Sequence, residues 1–179
     1  MTDTATKVTT WTIDPAHSFA EFSVKHMKVA KVKGRFSDIA GHITIDGDDI
    51  EQSRVVVGIG AASIDTRNGM RDAHLRSADF FEVETYPAIA FRSTLVRKDG
   101  HALAVTGDLT IHGVTREVTL ATECNGQGIR PDGVPIVSFS AATWLNRKDF
   151  GLNWNSTLET GGVLVGEDVR IDIDIEAHA

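Results

Sequence analysis

The residues best suited to chemistry in this chain are its seven histidines, because an imidazole can ligate a metal ion or transfer a proton near neutral pH. Their spacing argues against a metal site, since no two of them stand four residues apart, the spacing that places two ligands on one face of a helix. The alternation of apolar and polar residues along the predicted strands directs His26 inward but His42 and His112 outward, so these three side chains cannot converge. We therefore predict no metal site and no metal cofactor.

Two other groups of residues resemble catalytic motifs without completing them. His17 and Ser18 are adjacent, and neighbours on a strand point to opposite faces, so they cannot act together as base and nucleophile. The segment Gly58–Ser63 resembles a dinucleotide-binding loop, but it lacks the third glycine and lies within a strand pattern. We therefore predict a protein that is not an enzyme and has no catalytic residues.

The elements that must position any site are strands, because apolar and polar residues alternate with a period of two along most of the chain. The clearest run closes the sequence, where Val169, Ile171, Ile173 and Ile175 alternate with charged residues. Seven earlier runs show the same pattern: Ser18–His26, Ser37–Ile45, Val55–Ala61, Ile89–Leu95, Leu103–Ile111, Glu117–Ala121 and Val137–Ala141. Each strand therefore has one buried and one exposed face, as in antiparallel sheets.

Successive strands of this kind predict a sheet that closes on itself, because closure removes the exposed edges. Asp99-Gly100 and His112-Gly113 supply tight turns between neighbouring strands. We expect an all-β fold, an eight-stranded antiparallel β-barrel with a short helix after the fourth long strand. Residues 1–179 are expected to form one domain.

Two segments break the alternation and are predicted to form the mouth of the barrel. The first, Arg67–Phe81, begins as a short helix after Asn68, and the second, Asn146–Val165, contains three glycines. Five cations in these segments are candidates for an anionic head group, with surface charge or ion pairing as the equal alternative: Arg67, Arg71, Arg76, Arg147 and Lys148. An alternative hypothesis is that the protein is an enzyme that acts on an amphiphile at the mouth. In that case Arg71, Asp72 and His74 would be the acid–base groups.

The interior of an eight-stranded barrel is either filled by its own side chains or open to one small ligand. Small inward-facing residues favour open space: Ala20, Gly41, Ala61, Gly107 and Ala141. A buried methylene is worth about 0.8 kcal/mol, so two or three isoprene units would give roughly micromolar affinity before ordering costs. The pattern alone leaves open a filled barrel that acts through its surface, for example as a stress-related interaction module.

Charge and composition exclude several classes of protein. The net charge of −7 argues against nucleic-acid binding, although it does not exclude a local basic patch. Cys124 is the single cysteine, so no internal disulfide is expected. No stretch approaches the roughly 20 apolar residues of a membrane span, and Met1–Thr10 lacks the apolar run of a secretory signal. We therefore expect a cytoplasmic protein with no transmembrane segment.

An ordered set of short segments extends over nearly the whole chain. The segments are Asp14–Ser18, Phe22–His26, Gly34–Phe36, Ala62–Thr66, Arg71–Leu75, Asp79–Phe81, Tyr86–Phe91, Gly107–Thr115, Arg147–Leu152 and Val169–Ala177. No single segment is decisive, but the set in this order is highly specific and resembles the YceI-like family.

This resemblance implies a lipocalin-like antiparallel barrel whose hydrophobic tunnel binds a polyisoprenoid or another long-chain amphiphile for transport, storage or sequestration. It also implies a homodimer, and many members are exported to the periplasm. With the mouth residues included, the expected ligand-binding residues are Phe22, Val24, Phe36, Arg71, His74, Leu75, Phe80, Phe91, Leu109, Trp144, Arg147 and Phe150. The alternation conflicts with two of them. It places Trp144 on the outward face, and it places Phe36 on the face opposite to that of inward-facing Ile39.

Overall fold

The computed structural model describes residues 7–179, so the first six residues of the polar N-terminal stretch lie outside the described part. The strands are β1 (Val8–Ile13), β2 (Phe19–His26), β3 (Ala30–Phe36), β4 (Ile39–Asp46), β5 (Arg54–Gly60), β6 (Ile64–Asp65), β7 (Ala88–Asp99), β8 (Ala102–Ile111), β9 (Val114–Ile129), β10 (Pro135–Asn146) and β11 (Val165–His178). Among these residues a single α-helix, α1, spans Gly69–Arg76. No described helix has the length and apolar character needed to cross a membrane.

Eight of the strands close into a barrel. Around the wall they follow the order β1, β4, β5, β7, β8, β9, β10 and β11, and β1 pairs with β11 to complete the ring. The closing contact is short, with Thr12 opposite His178 and Ile13 opposite Ala177. All pairings within the ring are antiparallel, which confirms the predicted eight-stranded antiparallel barrel.

Strands β2, β3 and β6 extend the sheet beyond the ring. β2 pairs with β11 from Phe19 opposite Asp174 to His26 opposite Val165, so β11 pairs with β2 along its length and with β1 at its end. β3 pairs with β2, and β6 pairs with the last two residues of β3. The β2–β3 hairpin therefore runs along the first part of β11.

The turn Asp14–Ser18 ties the beginning of the barrel to its end. Ser18 Oγ donates to the Glu176 carbonyl oxygen (3.1 Å) and accepts from the Glu176 N–H (3.0 Å). His17 Nδ1 lies 3.0 Å from Asp14 Oδ2, and this hydrogen bond lowers the pKa of Asp14 and raises the pKa of His17. These side chains support the seam where the β1–β11 pairing is short.

Helix α1 begins at a side-chain cap. Asn68 Oδ1 accepts from the Arg71 N–H (3.0 Å), the usual role of an N-cap asparagine. Buried Asp72 accepts from the Thr66 N–H (2.9 Å), which ties the helix to the residue after β6. The helix follows five strands of six to eight residues and the short β6, so it comes one long strand later than expected.

A β-bulge changes the phase of β7. The register shifts between Ser93 and Leu95, and an extra residue turns every later side chain to the opposite face. Val96 is consequently buried (3% exposed), whereas Leu95 is 44% exposed. The alternation places Leu95 inside, and the bulge is the reason that this prediction is wrong.

The apolar side chains inside the ring form clusters toward different parts of the barrel. One cluster lies at the β1–β11 seam and contains Trp11, Ile13, Ile39, Ile43, Val137, Ile175 and Ala177. Another joins the ring to the two irregular segments and contains Phe36, Ala61, Ile64, Ile89, Ile111, Phe150 and Leu152. The irregular segments therefore pack over the barrel at the second cluster.

Candidate functional site

The barrel encloses a cavity of about 180 Å³. Of the 29 residues that line it, all but four are apolar. The apolar lining is Ala20, Phe22, Phe36, Ile39, Ile43, Ile45, Ile50, Val55, Val57, Ile59, Ile89, Phe91, Val96, Leu103, Val105, Leu109, Ile111, Val118, Leu120, Phe139, Ala141, Leu145, Ile171, Ile173 and Ile175. The barrel interior is therefore not completely filled by its own side chains.

The four polar lining residues do little to make the wall hydrophilic. Ser53 and Thr122 are each hydrogen-bonded to a backbone group, at 3.1 and 3.2 Å. The other two are Thr143 and Glu21, and Glu21 is exposed. A polar ligand would lose its hydrogen bonds to water against such a wall, so the cavity suits a hydrocarbon chain.

The cavity is large enough for a small apolar molecule, and its lining extends for some distance along the strands. A cavity of about 150 Å³ holds benzene, which is slightly less than the space here. On β7 the lining runs from Ile89 to Val96, roughly 20 Å along the strand and about 15 Å along a barrel axis inclined at the usual strand tilt. A lining of this length leaves room for an extended chain along the barrel axis.

Four of the expected ligand-binding residues line the cavity: Phe22, Phe36, Phe91 and Leu109. The ring centroids of Phe22 and Phe36 lie 5.8 Å apart, and Phe36 meets Phe81 edge-on at 5.6 Å. Phe36 faces inward despite its phase because β3 ends at this residue and a new strand begins three residues later. The turn between the strands resets the alternation.

Leu75, Phe80 and Phe150 cover the barrel rather than line its cavity. Leu75 and Phe150 pack in the cluster around Phe36, and Phe80 is buried with its ring centroid 5.3 Å from that of Trp154. These side chains separate the apolar interior from solvent on the side where the irregular segments pack. Leu75, Phe80 and Phe150 would contact a ligand that enters the cavity from this side, but not a ligand already bound inside it.

Trp144 and Val24 do not line the cavity. β10 directs Thr143 and Leu145 into it, so Trp144 points outward and is 61% exposed. The Trp144 ring lies 5.8 Å from the Arg170 guanidinium carbon, a surface cation–π contact. Val24 is half-buried on β2, beyond the part of that strand that lines the cavity. The outward position of Trp144 agrees with the alternation.

Arg147 is a buried structural residue. Its guanidinium donates to four backbone carbonyl oxygens, those of Leu152 (2.6 Å), Gly166 (2.8 Å), Trp154 (2.9 Å) and Val165 (3.3 Å). Burial lowers the pKa of this side chain, and Glu167 partly opposes that effect. Because its donors hold the segment that returns to β11, Arg147 is not placed to bind a head group.

The three groups proposed for acid–base catalysis do not meet at one point, since Arg71 and Asp72 share Thr66 whereas His74 contacts Asp79. Arg71 donates from Nε to Thr66 Oγ1 (2.7 Å), and buried Asp72 accepts from Thr66 as well. His74 Nε2 instead lies 2.8 Å from Asp79 Oδ2, and the His74 ring meets those of Phe80 and Trp154 edge-on, at 5.2 and 4.6 Å between centroids. None of Arg71, Asp72 and His74 lines the cavity, and each has a structural partner.

The remaining cations of the mouth are also largely occupied. Arg76 donates to the carbonyl oxygens of Ala62 (2.9 Å) and Ile64 (2.8 Å), and Lys148 Nζ lies 2.6 Å from Glu167 Oε1. Arg67 is exposed, and within residues 7–179 its side chain has no hydrogen bond or ion pair. Structural pairing therefore explains most of this charge.

The five small residues expected to leave room behave in different ways. Ala20 and Ala141 line the cavity, as expected. Gly41, Ala61 and Gly107 do not. A Cβ at Gly107 would overlap the Arg92 carbonyl oxygen and lie 2.7 Å from Phe91 Cζ, so that glycine admits the β7 backbone and an aromatic ring rather than empty space. Such ring-over-glycine packing is not visible in the alternation.

Most of the cavity wall consists of residues that sequence reasoning placed inside the barrel without assigning them to the site. Examples are Val57, Ile59, Val105 and Ile173. The signal that could have found them is the alternation itself, since inward-facing residues of a barrel with internal space must line that space. Val96 is different, because the bulge conceals its orientation.

Outside the cavity, Asp14, His17 and Glu176 hold potential metal-ligand atoms within 4.8 Å of one another. The His17 side chain is 62% exposed, and its hydrogen bond to Asp14 belongs to the turn that supports the barrel seam. A structural role accounts for this group.

Comparison with known proteins gives a consistent result. The YceI-like domain model matches residues 11–177. A UPF0312 protein of Staphylococcus aureus is 38% identical over 170 residues, which cover 94% of this chain and 97% of that protein.

Two solved structures share the fold at low sequence identity. Burkholderia cenocepacia BcnA superposes with a TM-score of 0.80 at 24% identity, over 92% of this chain and 98% of BcnA. A polyisoprenoid binding domain from Saccharophagus degradans, implicated in plant cell wall breakdown, superposes with a TM-score of 0.66 at 18% identity, over 94% and 98% of the two chains. At these identities the likeness concerns the fold.

Proposed function

Because this chain belongs to the YceI-like domain family, we propose that it is a non-catalytic binding protein for a long-chain isoprenoid or a similar amphiphilic lipid. The observation that carries the proposal is the cavity of about 180 Å³ with its almost wholly apolar wall. The structural likeness to a polyisoprenoid binding domain supports the choice of ligand class.

The energetics favour the chain of the ligand as the source of affinity. At about 0.8 kcal/mol per methylene, one buried isoprene unit contributes up to roughly 4 kcal/mol. Two such units approach the −8 kcal/mol of a micromolar complex before ordering costs are subtracted. The proposal therefore requires no dedicated head-group site, which is consistent with the structural pairing of Arg71, Arg76, Arg147 and Lys148.

A binding role is favoured over catalysis by the character of the wall. Among the described residues that line the cavity, Glu21 alone has an ionisable side chain, and Glu21 is exposed. A bound chain would therefore lie against inert groups, as suits transport, storage or sequestration. The cytoplasmic location and the homodimer stay predictions, which cell fractionation and light scattering would check.

The test is to extract the protein, purified from its native host, with organic solvent and to identify released lipid by mass spectrometry. We expect an isoprenoid or another long-chain amphiphile in stoichiometric amount. The matched control is Ala141→Phe, which reduces the cavity and should co-purify with much less of the same lipid. Repeated absence of lipid from the wild type, together with failure to bind added farnesol, would contradict the proposal.

A further inference from the structure

The tip of the β2–β3 hairpin, defined as residues 25–35, carries a high density of positive charge. Its cations are Lys25, Lys28, Lys31, Lys33 and Arg35. No aspartate or glutamate occurs between Glu21 and Asp38, although the chain as a whole has 25 acidic residues against 18 lysines and arginines. The hairpin tip is thus a basic region on an acidic protein.

Acidic residues face only one end of this charge, since Arg35 lies opposite Glu21 on β2 and Asp65 on β6. Lys25 lies directly opposite Lys31 in the β2–β3 pairing, and Lys33 shares their exposed face. Like charges in directly opposed positions destabilise a strand pair. Among residues 7–179, none of the five cations takes part in a salt bridge. The four lysines of the tip are therefore not held by salt bridges within the described residues.

Apolar side chains project from the same tip. Val29 is 90% exposed and Met27 is 45% exposed. The Met27 N–H donates to the Leu164 carbonyl oxygen (2.9 Å). The segment just before β11 therefore lies beside the tip, and its Val163 is 38% exposed. The tip therefore presents exposed apolar side chains next to its lysines.

The backbone of the turn is poorly matched to its sequence. Met27 (φ 52°) and Lys28 (φ 63°), in the three-residue loop between His26 and Ala30, both adopt the left-handed conformation, which favours Asn and Gly. Long side chains are costly in that conformation and commonly mark a functional position. Here the turn displays Met27 and Lys28 instead of the residues that would fold it best.

We propose that the hairpin tip docks on the surface of a membrane that contains anionic phospholipids. Lysines attract the negative surface, and exposed apolar residues enter the boundary between head groups and acyl chains. A nucleic acid or an acidic peptide would engage the lysines but would leave Met27 and Val29 in water, so a lipid surface fits the tip better.

Docking of this kind goes beyond lipid binding in the cavity, because it applies to an empty barrel as well. It also places the cavity close to a lipid source. Ala20 and Phe22 on β2 line the cavity, and the same strand continues to the tip. A membrane-bound tip would hold one wall of the cavity near the bilayer surface.

The test is cosedimentation of the full chain with vesicles of phosphatidylcholine, with and without phosphatidylglycerol and free of isoprenoids. The test variant is Lys25→Gln/Lys31→Gln/Lys33→Gln, and the control with equal charge change is Arg54→Gln/Lys98→Gln/Arg116→Gln, at exposed positions on other strands. Each lysine near an anionic surface contributes roughly fivefold to partitioning, so the hairpin variant should bind the anionic vesicles about 100-fold more weakly. The control should change binding by much less.

A second variant, Met27→Ser/Val29→Ser, tests apolar insertion while keeping the charge. It should weaken binding to anionic vesicles, most clearly at high salt, where the lysine contribution is screened. The proposal is overturned if the wild type binds vesicles equally with and without phosphatidylglycerol. It is also overturned if both triple variants weaken vesicle binding equally, or if Met27→Ser/Val29→Ser binds vesicles as tightly as the wild type. Farnesol binding by the same proteins reports on the cavity separately, so failure of one proposal is distinguishable from failure of the other.

Discussion

Filling the cavity with a new side chain separates a ligand-binding barrel from a packed one. Ala141 on β10 points into the cavity, and a phenylalanine there would project a phenyl ring into about 180 Å³ of space. Since benzene fits a cavity of about 150 Å³, the ring occupies most of the room. It displaces about five methylene equivalents of ligand, worth roughly 4 kcal/mol, so Ala141→Phe should weaken farnesol binding by about 1,000-fold.

The same substitution should not destabilise the unliganded protein. Filling a cavity returns about 24 cal/mol per Å³, so the free energy of unfolding should rise by up to about 3 kcal/mol once ordering of the ring is included. Overpacking a filled core would instead cost about 1–3 kcal/mol. The control is Ala142→Phe, one residue later and on the outer face. Urea unfolding and farnesol titration measure both effects, and a destabilised Ala141→Phe with unchanged farnesol affinity would refute the cavity.

Three further substitutions test individual residues. Arg147→Met removes the donors to four backbone carbonyls and should lower the free energy of unfolding by about 3 kcal/mol in urea; a loss below about 1 kcal/mol would contradict its structural role. Trp144→Ala should change unfolding free energy by less than about 1 kcal/mol and leave farnesol affinity unchanged, because the ring lies outside the barrel; lost affinity would place the ligand elsewhere. The pKa of His17 is raised and that of Asp14 is lowered. Their pair therefore stabilises the fold fully between about pH 4 and about pH 6.5. This contribution is lost as the pH rises through the raised pKa of His17. His17→Gln should therefore lower the Tm near pH 5.5 but hardly near pH 8.5, and an equal effect at both values would exclude the pair.

The barrel is predictable from the sequence because each face of its strands meets a different environment. Ile171, Ile173 and Ile175 line the cavity, and the charged residues between them face outward. Where a strand contains an extra residue, as between Ser93 and Leu95, the period of two assigns the later residues of that strand to the wrong face. A bulge depends on pairing with the neighbouring strand, which a single run of residues does not reveal.

The site is less predictable because cavity shape depends on how side chains from distant strands meet. The sequence identifies Phe91 and Gly107 as inward residues, but only the structure shows that the ring occupies the space above the glycine. It also shows that the guanidinium of Arg147, a candidate for head-group binding, is hydrogen-bonded to four backbone carbonyl oxygens. Charge near a predicted mouth does not distinguish a binding residue from a structural one.

The central claim is that a long apolar chain lies inside the ring of strands. A crystal structure of the delipidated protein soaked with farnesol tests it most directly. The account predicts continuous electron density for the chain between Phe91 on β7 and Ile173 on β11, with the β-barrel unchanged. Density for farnesol confined to the outer surface, or a barrel whose interior is filled by its own side chains, would contradict it.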